Sequence, residues 1–197
     1  LGLVGSEMCI RDSDSTGKPP SEQERKIIFA ALLGLGMNIG LEKMAQSTPG
    51  ISYSQLANAK QWRFYKEALT RAQSVLVNYQ LKLPVADFWG EGKTTASDGM
   101  RVPVGVSALK SDVNPHYKSM EKGATMIRSI NDRHTTHHIE VASTNTREAT
   151  HTLDGLLYHE TDLDIEEHFT DTNGYSDQVF GMTALLGLSL IHISEPT

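Results

Sequence analysis

Two aspartates stand in short polar segments where metal chemistry is to be expected. Asp98 lies in TTASDG and Asp171 lies in HFTDTNGY, 73 residues further along the chain. Carboxylate oxygens suit Mg²⁺, a hard cation that keeps water and phosphate oxygens in its shell. Two such ions about 3.5–4 Å apart can activate an attacking oxygen and stabilise a leaving one. Two aspartates alone are a weak indication, because either could cap a helix or begin a turn.

The segments around both aspartates have the residue patterns of strands in one sheet. Residues 94–106, 124–130, 138–143 and 167–170 are predicted strands, and helices are predicted after a capping box of Asn145 with Glu148 and from about Asp177. The order strand, strand, strand, helix, strand, helix matches the first part of an RNase H-like fold, of the α/β (α+β) class. Asp98 is expected at the end of the first strand and Asp171 at the end of the fourth. In such a sheet these strands are neighbours, so the two carboxylates are expected to converge.

The preceding segment, residues 14–85, is predicted to be helical. Ser21 with Glu24 and Ser52 with Gln55 form capping-box patterns, and Pro84 ends the last helix. Residues 14–85 carry a net charge of +4 and residues 86–187 a net charge of -8, although the whole chain is only at -6. This asymmetry fits phosphate binding beside a metal site, and it also fits unrelated solvated faces.

Three cations are candidate DNA contacts. Lys60, Arg63 and Lys66 are three residues apart, on what is predicted to be one helix, where they could follow phosphates. An ordinary hydrated helix face explains the spacing equally well.

The composition is that of a soluble globular protein, with 39% hydrophobic residues and a mean hydropathy of -0.32. No apolar run approaches the ~20 residues that cross a bilayer, and no leader peptide is recognisable. The one cysteine, Cys9, cannot form an internal disulfide. A cytoplasmic location is the expectation.

Both ends look foreign to the middle of the chain. The opening LGLVGSEMCIRDS and the closing LSLIHISEPT resemble translated sequencing-adapter sequence. Residues 1–13 and 188–197 are therefore predicted to be artefacts that make few contacts with the core. The predicted organisation is a helical segment over 14–85 and a partial catalytic domain over 86–187.

Longer strings carry a family resemblance. They are GISYSQLANAKQW at 50–62, LPVADFWGEGKTTASDGMRVPVG at 83–105, NPHY at 114–117 and REATHTLDGLLYHETDLDIEEHFTDTNGYSDQVF at 147–180. In these strings, and over essentially all of residues 21–187, the chain resembles the Tn-three family of replicative bacterial transposases. Three positions depart from the family pattern: Glu91 and Lys93 stand where an Asp and a Thr are common, and Asn173 where a His is usual.

The resemblance implies a DDE transposase that nicks transposon 3′ ends and joins them to target DNA. Asp98 and Asp171 would be its first two Mg²⁺-binding carboxylates, and His168 would support the metal site. The family's third carboxylate, a Glu further along, has no counterpart in residues 14–187. The implied partners are transposon terminal inverted repeats, target DNA and a second copy of the complete enzyme, with no membrane.

The histidines show no zinc motif. Neither HExxH nor a Cys/His quartet occurs, and His137 and His138 are expected to point to opposite faces of a strand. Polar surface or supporting roles are favoured.

Two other functions remain open from the sequence. The first is an inactive domain fragment that only packs or binds DNA. The second is a self-contained RNase H-like nuclease, which needs a third acidic ligand after Asp171; Asp177 is predicted instead to cap a helix and to point away. The isolated chain is predicted to bind Mg²⁺ weakly, to aggregate and not to cut DNA.

Overall fold

The computed structural model describes residues 21–105, 107–115 and 121–194. The predictions for residues 1–13 and for Cys9 lie outside this part of the chain. The chain divides into two compact units, one up to Tyr79 and one from Gln80. No helix in the described ranges is both long and apolar enough to span a membrane.

The first unit is helical. Its helices are α1 (Glu22–Gly36), α2 (Leu41–Ser47), α3 (Tyr53–Arg63) and α4 (Lys66–Leu81), the last of which continues into the second unit. Both predicted capping boxes are confirmed. The Ser21 side chain accepts from the Glu24 backbone and Glu24 accepts from the Ser21 backbone, and Ser52 with Gln55 repeats the pattern at α3.

Small residues form much of the core of this unit. Ala31 and Leu56 are fully buried, and Ala30, Ala59 and Ile51 complete the cluster.

The three candidate DNA contacts do not share one helix. Lys60 and Arg63 lie on α3, whereas Phe64 leaves the helical conformation (φ -104°, ψ 61°) and Lys66 begins α4.

The second unit contains a short 3-10 helix, a five-stranded sheet and two α-helices. The elements are the 3-10 helix Pro84–Phe88, β1 (Thr94–Pro103), β2 (Gly123–Asn131), β3 (Thr136–Ser143), α5 (Ala149–Leu157), β4 (Glu167–Thr170), α6 (Asp177–Leu185) and β5 (Ser189–His192). Each predicted strand is present, with ends shifted by at most a few residues.

The sheet order is β3-β2-β1-β4-β5. β1 pairs antiparallel with β2, and β2 pairs antiparallel with β3. β4 pairs parallel with both β1 and β5. The first and fourth strands are therefore neighbours, as the order of elements predicts, and the protein is a mixed α/β structure around one sheet.

Two predicted helix caps are wrong. Glu148 occupies the N-cap of α5 in a helical conformation and makes no side-chain capping bond. The Asn145 amide instead donates to Asp112 Oδ2 at 2.6 Å. At α6, Ser176 is the N-cap and accepts from the Val179 backbone. Asp177 accepts a hydrogen bond from the Tyr175 hydroxyl at 2.8 Å.

The expectation of few contacts for residues 188–197 is wrong for the strand β5. Its backbone pairs with β4 from Glu167 opposite Ser189 to Thr170 opposite His192. Leu190 is 7% exposed and belongs to a core cluster with Ala149 and Val179. A parallel edge offers backbone donors and acceptors to any extended segment, so an apolar alternating stretch can occupy it whatever its origin. The adapter origin itself stays a prediction.

Candidate metal site at the β1 and β4 strands

Asp98 lies in the middle of β1, not at its end as expected. The parallel pairing of β1 with β4 stops one residue earlier, where Ser97 is opposite Thr170. On the other side, Asp98 is directly opposite Arg128 of β2. Asp98 and Arg128 both line an open groove of about 380 Å³ on one face of the sheet, together with Met100 and Met126.

Asp171 is the first residue after β4. The β1–β4 register ends at Ser97 opposite Thr170, and a further step of the same register would place Asp171 beside Asp98, since neighbouring strands lie only about 4.8 Å apart. Its conformation is held by the loop that follows. Oδ1 accepts from the backbone N–H groups of Asn173 at 3.1 Å and Gly174 at 2.9 Å. Oδ2 has a longer contact, 3.3 Å, with the Asn173 amide.

Glu148 brings a third carboxylate to this site. Gly99, next to Asp98, has no side chain, and a Cβ there would overlap both carboxylate oxygens of Glu148. Burial raises the pKa of Glu148, and the negative charges of Asp171 and then Asp98 raise it further. Gly99 and Asp98 are consecutive on β1 and so face opposite sides of the sheet, and Glu148 therefore adds negative charge near the two aspartates from the α5 side.

His168 joins the two strands from within the core. It is 1% exposed, and its Nδ1 lies 2.7 Å from Thr95 Oγ1 and its Nε2 lies 2.9 Å from Ser97 Oγ. Both partners are on β1, so these two contacts hold β1 and β4 in register close to the aspartates. Burial lowers the pKa of His168 to about 4, so the imidazole is neutral at pH 7.

The predicted polar-surface role is wrong for His137 and His138, because both are buried. A bulge interrupts the β2–β3 register, which passes from Ser129 opposite His138 to Ile130 opposite Thr136. The strand alternation is lost there, and both histidines are buried, at 1% and 7% exposure.

Glu148 is the residue that sequence reasoning missed. Its position three residues after Asn145 made it look like half of a capping box. The signal that could have found it is the glycine after Asp98, because a carboxylate can approach a strand backbone closely where there is no Cβ.

Comparison with known proteins identifies the family of this chain. The family model described as the Tn3 transposase DDE domain matches residues 11–192. This α/β protein therefore belongs to the transposases with a DDE domain. Within them, the chain is a member of the Tn3 transposase DDE domain family.

The chain is similar to several curated transposases. It is 55% identical over 173 residues to the transposase for transposon Tn1546 of Enterococcus faecium, covering 88% of this chain. It is 41% identical over 166 residues to the transposase for transposon Tn501 of Pseudomonas aeruginosa, covering 84% of this chain. In both cases the chain spans only 17% of the relative's length.

A solved structure, the Mos1 transposase paired-end complex with left transposon end, also matches. It covers 90% of this chain and 60% of that one at 13% identity, with a TM-score of 0.35, below the level of a shared fold. The family assignment accordingly rests on sequence.

Proposed function

We propose that this chain supplies the metal-binding centre of a transposase that cuts and joins DNA, on an RNase H-like sheet. The observation that supports the proposal is the parallel pairing of β1 with β4 up to Ser97 opposite Thr170, the pair that immediately precedes Asp98 and Asp171, in a chain that belongs to a DDE family. The sheet order and the mixed pairing are consistent with an RNase H-like fold.

The donor set fits divalent cations. Glu148 interacts through its charge with Asp171 and Asp98, and Oδ2 of Asp171 has only one 3.3 Å contact within the described residues. The raised pKa of Glu148 comes first from burial and then from the charges of Asp171 and Asp98, and a bound cation would offset that repulsion. All donors are oxygens, which favours Mg²⁺. Such ions, when bound, would activate the attacking oxygen and stabilise the leaving oxygen of an in-line displacement.

In this proposal each residue of the chain has a distinct task. Asp98 and Asp171 bind the cations directly. Glu148 adds negative charge from the α5 side; because it precedes Asp171, it is not the Glu that the family resemblance places further along. His168 stays neutral and keeps β1 and β4 in register. Arg128, across from Asp98, is placed to contact a DNA phosphate.

The partners are those of the family. The named relatives are transposases for transposons, and we extend to this chain the binding of transposon terminal inverted repeats and target DNA. Lys60, Arg63 and Lys66 are the proposed phosphate contacts of the helical unit. The complete enzyme is proposed to act in the cytoplasm as a homodimer, because two transposon ends must be cut together.

The test uses the chain joined to the downstream sequence of its Enterococcus relative, assayed for Mg²⁺-dependent strand transfer. Asp98→Asn and Asp171→Asn keep side-chain size and remove the charge. Both should abolish strand transfer while DNA binding, measured by gel shift, changes less than about threefold. Asp177→Asn is the control, because its side chain bonds to Tyr175, and it should transfer strands normally. Normal transfer by either of the first two variants would refute the site.

Glu148 also supports a second candidate, a nuclease that needs no further domain. A third acid after Asp171 is no longer required if Glu148 completes the set from the α5 side. The unextended chain should then cut DNA or an RNA–DNA hybrid with Mg²⁺. If it cuts neither while the extended protein transfers strands, the transposase proposal alone remains.

A further inference from the structure

A second cluster of metal-ligating side chains lies on β3 and α5. Glu140, His151 and Asp154 each bring one ligand atom within 4.8 Å of the others, and they form the one such group found in the described residues. Each is half-buried. The cluster mixes an imidazole with two carboxylates, unlike the all-oxygen set at Asp98, Asp171 and Glu148.

The fold explains why these three residues meet. His151 and Asp154 are three residues apart and so lie on one face of α5. That face packs on the sheet, because a Cβ at Gly155 would lie 2.9 Å from Ser129 Oγ and 3.5 Å from the His138 ring. Glu140 is two residues after His138 on β3, so both side chains project from the same face of the strand.

The ring nitrogens of His151 are available to bind an ion. Both of its ring nitrogens are buried, and neither makes a hydrogen bond. Nδ1 lies 3.3 Å from Glu140 Oε2. A buried polar atom without a hydrogen bond costs free energy, which a bound ion would recover.

Two histidines lie near Oε2 of Glu140. Lys110 Nζ lies 3.6 Å from Oε1 on the solvent side. Oε2 faces His151 and is also 3.9 Å from His138 Nε2. His138 is 7% exposed and is close enough to complete a fourth position after a small side-chain movement.

We propose that Glu140, His151 and Asp154 form a zinc site that ties α5 to β3. One imidazole and two carboxylates, with His138 or water as the fourth ligand, match the nitrogen and oxygen donors of a tetrahedral Zn²⁺ site. Mg²⁺ is disfavoured because it prefers oxygen ligands in an octahedral shell. The site begins three residues after Glu148, so the ion would fix the first turn of α5. The binding claim does not depend on the proposed function.

The experiment measures Zn²⁺ binding to the full chain by isothermal titration calorimetry. An Asp98→Asn/Asp171→Asn background removes competition from the other site. We expect one Zn²⁺ per chain in this background, and a thermal midpoint that rises with Zn²⁺ and not with Mg²⁺. Adding His151→Ala should weaken Zn²⁺ binding at least about tenfold. His134→Ala, in the exposed β2–β3 turn, is the matched control and should bind as the background does.

Asp154→Asn is the second variant, since it keeps the shape of the side chain if His151→Ala fails to fold. It should weaken Zn²⁺ binding as well, with unchanged far-ultraviolet circular dichroism. No Zn²⁺ binding in the background protein would overturn the proposal. Equal Zn²⁺ affinity in a folded Asp154→Asn variant and in the background would do the same.

Discussion

Glu148 at the N-cap of α5 and His151 in its first turn belong to two different clusters of possible metal ligands. At its N-cap, Glu148 lies against Gly99 and interacts through its charge with Asp171 and Asp98, which like Glu148 offer oxygen ligands. One turn later, His151 and Asp154 meet Glu140 over the half-buried face of β3. Residues three apart lie on nearly the same face of a helix, so His151 differs from Glu148 in its position along the α5 axis, where a different strand is the neighbour.

In these two proposals, residues at the start of one helix contribute to sites for two kinds of ion. The first site is open and made of hard ligands, which suits ions that exchange water and phosphate oxygens. The second includes an imidazole without hydrogen-bond partners and is covered by the sheet, which suits an ion that stays in place. The comparison predicts that each site can be disabled separately.

The largest expected effect tests that separation. Asp171→Asn in the extended protein should reduce Mg²⁺-dependent strand transfer by about a thousandfold or more, because several kcal/mol of transition-state stabilisation is lost. In an Asp98→Asn background, which removes most of the competing Zn²⁺ binding, adding Asp171→Asn should change the Zn²⁺ affinity of Glu140, His151 and Asp154 by less than about twofold, since Asp171 is not one of these ligands. Paired transfer assays and calorimetry measure the two quantities. A matching loss of Zn²⁺ binding would show that the sites are one.

A smaller effect is expected at Glu148. Glu148→Gln should lower strand transfer about 10- to 100-fold through weaker metal binding, as loss of supporting groups does. The metal-free variant should be at least as stable as the parent at pH 7, because the raised pKa means that the charged Glu148 opposes folding. The stability difference between Glu148→Gln and the parent should disappear below about pH 4, where the Glu148 carboxyl is protonated in both the folded and the unfolded protein. Thermal melts with chelator from pH 4 to 8 test this, and a destabilised variant at pH 7 would contradict it.

The next effect concerns acid stability. The pKa of His168 is about 4 in the folded protein, against ~6.5 in an unfolded chain. Between these two pH values the unfolded chain binds more protons than the folded chain. The contribution of neutral His168 to the free energy of unfolding is therefore fully present above pH ~6.5 and is lost as pH falls toward 4. The loss should be on the order of 3 kcal/mol. His168→Gln should flatten the urea-unfolding profile over this range, while His134→Gln should retain the slope of the parent.

The smallest expected effect lies in the helical unit. Lys60→Ala should weaken DNA binding about two- to fivefold and reduce the salt slope by about one, if Lys60 contacts one phosphate. Lys26→Ala is the control, because Lys26 already pairs with Glu22 at 2.8 Å on the exposed face of α1. Equal effects of the two substitutions would indicate general electrostatic attraction without a specific contact.

Local patterns in the sequence identified the elements and the pair of aspartates. Capping boxes at Ser21 and Ser52 are short-range, since each satisfies backbone groups within four residues, and both are confirmed. The strand at 167–170 and the neighbouring placement of β1 and β4 were also predictable. The catalytic roles of Asp98 and Asp171 remain predictions from the family resemblance.

Contacts between residues distant in sequence were decided by the tertiary structure. Glu148 was read as a capping residue because its neighbour in sequence is Asn145, whereas its neighbours in space are Gly99 and Asp171. The strand at 189–192 forms because the β4 edge offers hydrogen-bonding groups, which no local pattern reveals. Periodicity and capping report the energy of a few adjacent residues, while a metal site and a sheet edge depend on segments that only packing brings together.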